Sequence, residues 1–418
     1  MVAIVRSTAS GLLAFLTLAA AAPFETPEFL EDDPPESMLQ MGSSSASVAP
    51  AVFPIIPSRL REPPLGRAKP LAADQDLLRG SKKGADGHYY LNRDGADRRL
   101  TLDPSLQEKL TRVLEIYQTP YAAVVVLDPS SGRVLAMAEH SERDPQMRGL
   151  PTKAVFPAAS IFKIVTASAL LDEGVSPDES ECFHGGKRRI SEKLLQDTAR
   201  DQNCLSLSTA FAKSANLVFA KLTQKYLSAD QLRRRAEALY FNQPIDFPVA
   251  TEMSLAGIPD DLLGLASAGS GFGDVYLSPL HAASIAAVIA SGGLWHTPIL
   301  FEDQALGNEG VRVISEDNAR GLAEMMERTI AIGTARRIFH QRGSTVEGAA
   351  GKTGCLGDRK PFRDYSWFVG FAPKSHPSVA VAAVIVNDPK WRIRATYLAR
   401  EAMRLTLAAQ PVQVVRRR

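Results

Sequence analysis

Residues Phe156–Lys163 read Phe-Pro-Ala-Ala-Ser-Ile-Phe-Lys, and the spacing of Ser160 and Lys163 within them decides how the rest of the chain is read. On a helix, positions i and i+3 share a face, so the hydroxyl and the amine come within reach of each other. Serine alone is a weak nucleophile, and a neutral lysine can take its proton. For that, the lysine pKa must fall from about 10.4, through burial or a neighbouring cation. A helix predicted over Ser160–Glu173, stopping at Gly174, would also aim its first amides at a developing oxyanion. By itself the pattern is weak. A Ser-x-x-Lys match is expected about once in a chain of this length, and a surface serine and lysine is the bland alternative.

Two further elements change the balance. Ser214-Ala215-Asn216 offers a hydroxyl and an amide 54 residues after Ser160, and Lys352-Thr353-Gly354 follows, preceded by Gly351, in a predicted strand. Ser-x-x-Lys, Ser-x-Asn and Lys-Thr-Gly each occur once, in that order. Together they form the ordered motif set of serine acyl-transferases that recognise penicillin.

Around these motifs the pattern is regular. Asn92, Asp94 and Gly95 mark a turn after a strand over His88–Leu91. Asp103-Pro104 is a helix start, with a capping side chain followed by proline at the first helical position, and Leu106, Leu110, Val113 and Leu114 recur at helical spacing. Tyr121–Leu127 and Arg133–Ala138 read as strands around the turn Asp128-Pro129-Ser130-Ser131-Gly132. Helices are predicted over Ser208–Leu227, Ala229–Tyr240, Pro279–Ala290 and Ser315–Ile332. Late strands fit Ala349–Cys355, Tyr365–Phe371 and Val379–Val386, the last two rich in aromatic and β-branched residues. A final helix fits Arg394–Leu407. Early and late strands can then join in one antiparallel sheet covered by helices.

From about Leu100 to Leu407 the chain resembles the transpeptidase domain of a high-molecular-mass penicillin-binding protein. The residues that carry the resemblance are Thr101-Leu102-Asp103-Pro104-Ser105-Leu106-Gln107, the hairpin LDPSSGRVLAMA, FPAASIFK, the stretch GSGFGDVYLSPLHAASIAAVIASGG, and YSWFVGFAP over Tyr365–Pro373. The resemblance implies an α+β fold of the serine β-lactamase/D,D-transpeptidase type. In it an antiparallel sheet is flanked by helices, and the active site lies between the sheet and an all-helical lobe. It also implies roles. Ser160 would attack the penultimate D-Ala carbonyl of a peptidoglycan stem peptide ending in D-Ala-D-Ala, with Lys163 as base. Ser214 would relay the proton to the leaving group, and Asn216 and Lys352 would organise the hydrogen bonds. The backbone N–H groups of Ser160 and Cys355 would form the oxyanion hole, and Lys352, Thr353 and Gly354 would line the site of the terminal carboxylate. A β-lactam would mimic D-Ala-D-Ala and stay on Ser160.

Two departures stand out. The family often has a second threonine directly after Lys-Thr-Gly, and here that position is Cys355, whose side chain is a weak hydrogen-bonder. Carboxylate affinity is therefore an open question. The region before the catalytic domain is short, so no glycosyltransferase domain is expected, and any pedestal is reduced to about residues 60–100. Of the three cysteines, Cys182 and Cys204 lie 22 residues apart in the helical lobe. In an exported protein they are expected to form a disulfide, leaving Cys355 as the odd thiol, with three buried thiols as the alternative.

Export is expected from the N-terminus. Residues 7–24 carry no charge, and the apolar centre GLLAFLTLAAAA suits a secretory core with a small-x-small cleavage site at Ala19-Ala20-Ala21. An uncleaved anchor is the competing reading of residues 1–22. Residues 23–84 read as a Pro/Ser-rich acidic tether, and the catalytic domain as 85–418. The first 58 residues hold one base and six acids, so the net charge of +2 over 418 residues hides a modestly basic body. With 45% hydrophobic and 22% charged residues the chain is an ordinary globular protein, without the basic field of a nucleic-acid binder.

Other chemistries fit poorly. A P-loop ending at Lys352-Thr353 would need glycine at 346, where Val346 stands. Gly269-Ser270-Gly271-Phe272-Gly273 lacks dinucleotide-binding spacing and reads as a glycine-rich loop near the active site. The seven histidines show no metal-ligand spacing, and no metal or cofactor is expected. His281 reads as a packed helix residue. The expected function is a D,D-transpeptidase of the cell envelope, acting on stem peptides and binding β-lactams, with other cell-wall or division proteins as further partners. The rivals are a D,D-carboxypeptidase, an oxacillinase-type β-lactamase (against which Asn216 argues) and a scaffold that does no essential chemistry.

Overall fold

The computed structural model describes residues 80–409, apart from 94, 187–188, 306, 344, 360–361 and 391. The export signal and most of the tether lie outside the described residues. The strand Ser81–Lys83 pairs with Tyr89–Arg93, which pairs in turn with Ala96–Arg99, so the last residues of the stretch read as tether, 81–83, form a strand.

Helix α1 (Pro104–Ile116) starts where Asp103 Oδ1 accepts the Leu106 amide at 2.9 Å, with proline in the first turn, and buries Leu106, Leu110, Val113 and Leu114. Strands β1 (Tyr121–Leu127) and β2 (Val134–His140) form a hairpin. A helical lobe follows, with α2 (Lys163–Asp172), α3 (Leu207–Ala212), α4 (Asn216–Tyr226), α5 (Ala229–Ala238) and α6 (Leu262–Gly269). Then come α7 (Pro279–Ala290), α8 (Glu316–Ala331), strands β3 (Ala350–Arg359), β4 (Phe362–Ala372) and β5 (Val379–Asn387), and the last helix α9 (Ala395–Ala409). The five strands make one antiparallel sheet in the order β3-β4-β5-β1-β2, so the first hairpin joins the late strands as the sequence predicts.

Both faces of this sheet are covered, which explains its near-continuous apolar strands. Ala123, Val125, Ala382 and Val384 face α7 and the helical lobe, whereas Val124, Val126, Val381 and Ala383 face α1 and α9. The alternation is the two-residue period of a strand divided between two cores.

The predicted helix Ser208–Leu227 is in fact two. Ser214 adopts a left-handed φ of 53°, Ala215 is extended, and α4 begins afresh at Asn216. The Ser214 and Ala215 amides close the first helix on the carbonyls of Phe211 and Ala210. The predicted helix over Ser160–Glu173 opens as a 3₁₀ turn, Ala159–Phe162, before α2. Cys182 and Cys204 sit not on helices but directly opposite each other in an antiparallel ribbon, Ser180–Phe183 with Asn203–Ser206, where they are disulfide-bonded.

Candidate active site

The turn that carries Ser160 is held from several sides. The Ala158 amide bonds the Val275 carbonyl at 2.9 Å, and Trp367 Nε1 donates to the Pro157 carbonyl at 3.0 Å. Ala159 has a φ of 47°, a conformation disfavoured for any residue with a Cβ. Gly271, at φ 88°, packs so tightly on it that a Cβ there would lie 1.9 Å from the Ala159 carbonyl oxygen. On the other side Gly354 of β3 approaches Ile161 and the Ala158 carbonyl. Strain at a residue next to a functional side chain persists only where the surroundings over-determine it, as these two glycines do.

Lys163, the first residue of α2, is fully buried. Its Nζ lies 3.0 Å from Ser160 Oγ, 2.9 Å from Asn216 Oδ1 and 2.5 Å from the Ser270 carbonyl. Burial pushes its pKa well below the usual lysine value, and the nearby Lys352 lowers it further. The three partners suit a neutral amine. Asn216 Oδ1 and the Ser270 carbonyl are pure acceptors and take its two N–H groups. The lone pair then faces Ser160, whose hydroxyl can donate to it. The Phe219 ring, 5.5 Å from Nζ, adds to the desolvation.

Lys352 makes a second buried amine. Its Nζ donates to Ser214 Oγ at 3.1 Å and to the Thr353 carbonyl at 2.8 Å, beside the Phe211 ring. Burial brings its pKa down to about 7. The break before α4 turns Ser214 toward Lys352 while placing Asn216 against Lys163. A continuous helix would carry Ser214 and Asn216 two residues apart on different faces.

The structure thus gathers Ser160, Lys163 and Asn216 in one hydrogen-bonded group, and Ser214, Lys352 and Thr353 in another. Cys355 is set apart. It is exposed and reduced, and its Sγ donates to Asp364 Oδ1 across the hairpin at 3.2 Å. Asp364 is 6% exposed, and burial pushes its carboxyl pKa up.

Sequence reasoning missed Ser270 as a partner of Lys163. Its hydroxyl also ties the loop to the Asn216 and Ala266 carbonyls. It missed Thr334 too, whose Oγ1 hydrogen-bonds Thr353 Oγ1. His281 is a fully buried helix residue bonded to the Leu239 carbonyl, and burial holds its pKa near about 4. Among the described residues no group of three His, Cys, Asp or Glu side chains converges to hold a metal.

Comparison with known proteins bears on this arrangement. Residues 122–404 match the penicillin binding protein transpeptidase domain. The peptidoglycan D,D-transpeptidase PbpA of Mycobacterium tuberculosis (strain ATCC 25618 / H37Rv) is 28% identical over 371 residues, covering 75% of this chain and 73% of that protein. The stage V sporulation protein D of Bacillus subtilis (strain 168) is 25% identical over 337 residues, covering 73% of this chain and 52% of that protein. The crystal structure of PBPA from M. tuberculosis superposes with a TM-score of 0.59 at 25% identity, covering 74% of this chain and 82% of that one. The penicillin G acyl-enzyme complex of penicillin-binding protein A from M. tuberculosis gives a TM-score of 0.56 at 25% identity, covering 75% of this chain and 81% of that one. With most of the sheet and every motif residue inside the matched segment, the chain belongs to the penicillin-binding protein transpeptidase family.

Proposed function

We propose that the protein is a serine D,D-transpeptidase that cross-links peptidoglycan stem peptides and is acylated by β-lactams. The observation that carries the proposal is Lys163. It is a buried amine 3.0 Å from Ser160 Oγ, and its other two bonds go to pure acceptors. That is the environment of a resting general base.

In the proposed reaction Lys163 takes the Ser160 proton as Oγ bonds to the penultimate D-Ala carbonyl carbon. The oxyanion that forms is held by the Ser160 and Cys355 amides. Ser214, oriented by Lys352, gives its proton to the departing nitrogen and is reprotonated by the Lys163 ammonium, and D-Ala leaves. The amine of a neighbouring stem then attacks the Ser160 ester, and Ser160 regains its proton. In a β-lactam the leaving nitrogen stays tethered to the acyl group, so the ester persists. Lys352, beside Thr353, suits a donor that ends in a carboxylate.

Peptidoglycan is extracytoplasmic, which fits an exported chain. Among the described residues no helix is long and apolar enough to cross a membrane. The signal or anchor reading of residues 1–22 lies outside them.

Fluorescent-penicillin labelling of wild type and Ser160→Ala tests the proposal. Wild type is expected to carry a long-lived label and the variant none. Equal labelling of both, or rapid turnover of the drug, would overturn it. Product analysis with a stem-peptide donor and an added amine separates transpeptidation from carboxypeptidase hydrolysis. Complementation by Ser160→Ala would instead favour a scaffold among other cell-wall proteins.

A further inference from the structure

Cys355 occupies the position after Lys-Thr-Gly, but its Sγ is engaged by Asp364 on the neighbouring strand. The Thr353 hydroxyl has another partner. Thr334 Oγ1 hydrogen-bonds Thr353 Oγ1 from the segment that follows α8. This segment is fixed rather than draped. The Thr334 amide donates to the Ala212 carbonyl at 3.1 Å, and the Ala335 amide to the Thr329 carbonyl at 3.2 Å. Gly333 lies so close to α3 that a Cβ would sit 2.2 Å from the Ala212 carbonyl oxygen. Thr334 is nevertheless exposed, so its hydroxyl is held at a set place and open to solvent.

We propose that Thr334 is a substrate-binding residue, pairing with Thr353 to hold the terminal carboxylate of the donor in place of a hydroxyl at position 355. The inference rests on the transpeptidase reading of this same site. Two adjacent hydroxyls carry two O–H donors, and here one is spent on the other. A carboxylate brings two oxygens and can accept both protons, so the Thr334–Thr353 bond is exchanged for two bonds to an anion. Charge-assisted bonds of that kind are about twice as strong as neutral ones. Lys352, next in sequence to Thr353, adds favourable potential. Thr334 therefore joins α3, α8 and β3 at the point where the carboxylate arrives.

The test compares Ser160 acylation by benzylpenicillin and by its methyl ester, which lacks the carboxylate charge. Thr334→Val keeps the side-chain shape and removes the hydroxyl. It is expected to slow acylation by benzylpenicillin about 10- to 100-fold. Acylation by the methyl ester should stay within about threefold of wild type, with the melting temperature unchanged. Thr334→Ser should behave as wild type with both compounds. Cys355→Thr added to Thr334→Val should restore much of the benzylpenicillin rate. Equal slowing of both compounds would mean that Thr334 only supports the fold, and no slowing of either would mean that it does not meet the carboxylate. Either result overturns the inference while leaving Ser160 chemistry intact. If wild type itself is not acylated at Ser160, the transpeptidase reading fails, and this inference falls with it.

Discussion

Lys352 lies close enough to Lys163 for its charge to oppose protonation of Lys163, and both amines are fully buried. The two motifs that contribute these lysines are thereby coupled electrostatically. Lys352→Met removes the opposing charge, so the Lys163 pKa rises. The acid limb of the pH–acylation profile is expected to move to higher pH. The height of the profile will also fall, by about 100-fold, because Ser214 loses its partner. The position of the limb, measured by stopped-flow acylation, is the diagnostic quantity, and an unmoved limb would refute the coupling.

The same burial has a stability signature. A lysine whose folded pKa is depressed binds fewer protons in the folded state than in the unfolded one, so folding grows more favourable as pH rises between the two values. For Lys352 that window runs from about 7 to 10.5. Denaturant titrations at pH 7, 8 and 9 should show wild type gaining stability relative to Lys352→Met, by up to about 1.4 kcal/mol per pH unit. A constant difference between the two proteins would contradict the depressed value.

Asn216→Asp places a carboxylate where Lys163 now meets a neutral amide oxygen. The new charge raises the Lys163 pKa and keeps the amine protonated. Acylation at pH 7 is expected to fall at least about 100-fold and to recover partly as pH rises. The fold should remain intact, since the substitution pairs a buried cation. An unchanged rate at pH 7 would count against Lys163 as the base.

Gly271→Ala and Gly273→Ala make a matched pair. Both glycines have φ near 90°, but a Cβ at 271 would collide with the Ala159 carbonyl, whereas at 273 it meets open space. The first should lose at least about 3 kcal/mol or fail to fold, and any folded fraction should label poorly with penicillin. The second should lose only the backbone term, about 1–2 kcal/mol. Equal losses would show that the approach to Ala159 is not tight.

The disulfide Cys182–Cys204 closes a loop of 22 residues in the ribbon that runs into α3. Replacing both cysteines by serine should cost about 3 kcal/mol by chain entropy. Ser160 labelling should survive, since neither cysteine touches the catalytic groups. Loss of labelling in a folded variant would give the ribbon a closer part in the site.

The legibility of this site in the sequence follows from which atoms do the work. Ser160, Lys163, Ser214, Asn216 and Lys352 act through side chains with recognisable chemistry, so their types and order could be read. Ser270 reaches Lys163 through a backbone carbonyl, which every residue possesses, and no residue type marks it. The Cys355–Asp364 contact depends on hairpin register, with Cys355 opposite Ser366 and Asp364 opposite Gly357, a pairing that a one-dimensional reading does not supply. Strands β1 and β5 were readable because burial on both faces makes their sequences apolar throughout. The break at Ser214 was not, because neither Gly nor Pro punctuates it and helical periodicity runs on across it. The helix Pro279–Ala290 is found where it was predicted, because Ser278 and Pro279 specify its start.

Strand β3 stands at the end of the sheet with Ser160 beside it. A terminal strand is a template for any extended chain, and in a newly made protein it invites self-association. Here the order of the polypeptide limits that hazard. The turn that bears Ser160 and helix α8, which pack against β3, both precede it, so they have been synthesised before it emerges, and its partner strand β4 follows directly after it. The surface that must stay available to a peptide in the mature enzyme is thus guarded during biogenesis by the residues that later act on that peptide. A circular permutant beginning at β3 would lose this protection and would be expected to aggregate on refolding, even with every contact of the native state intact.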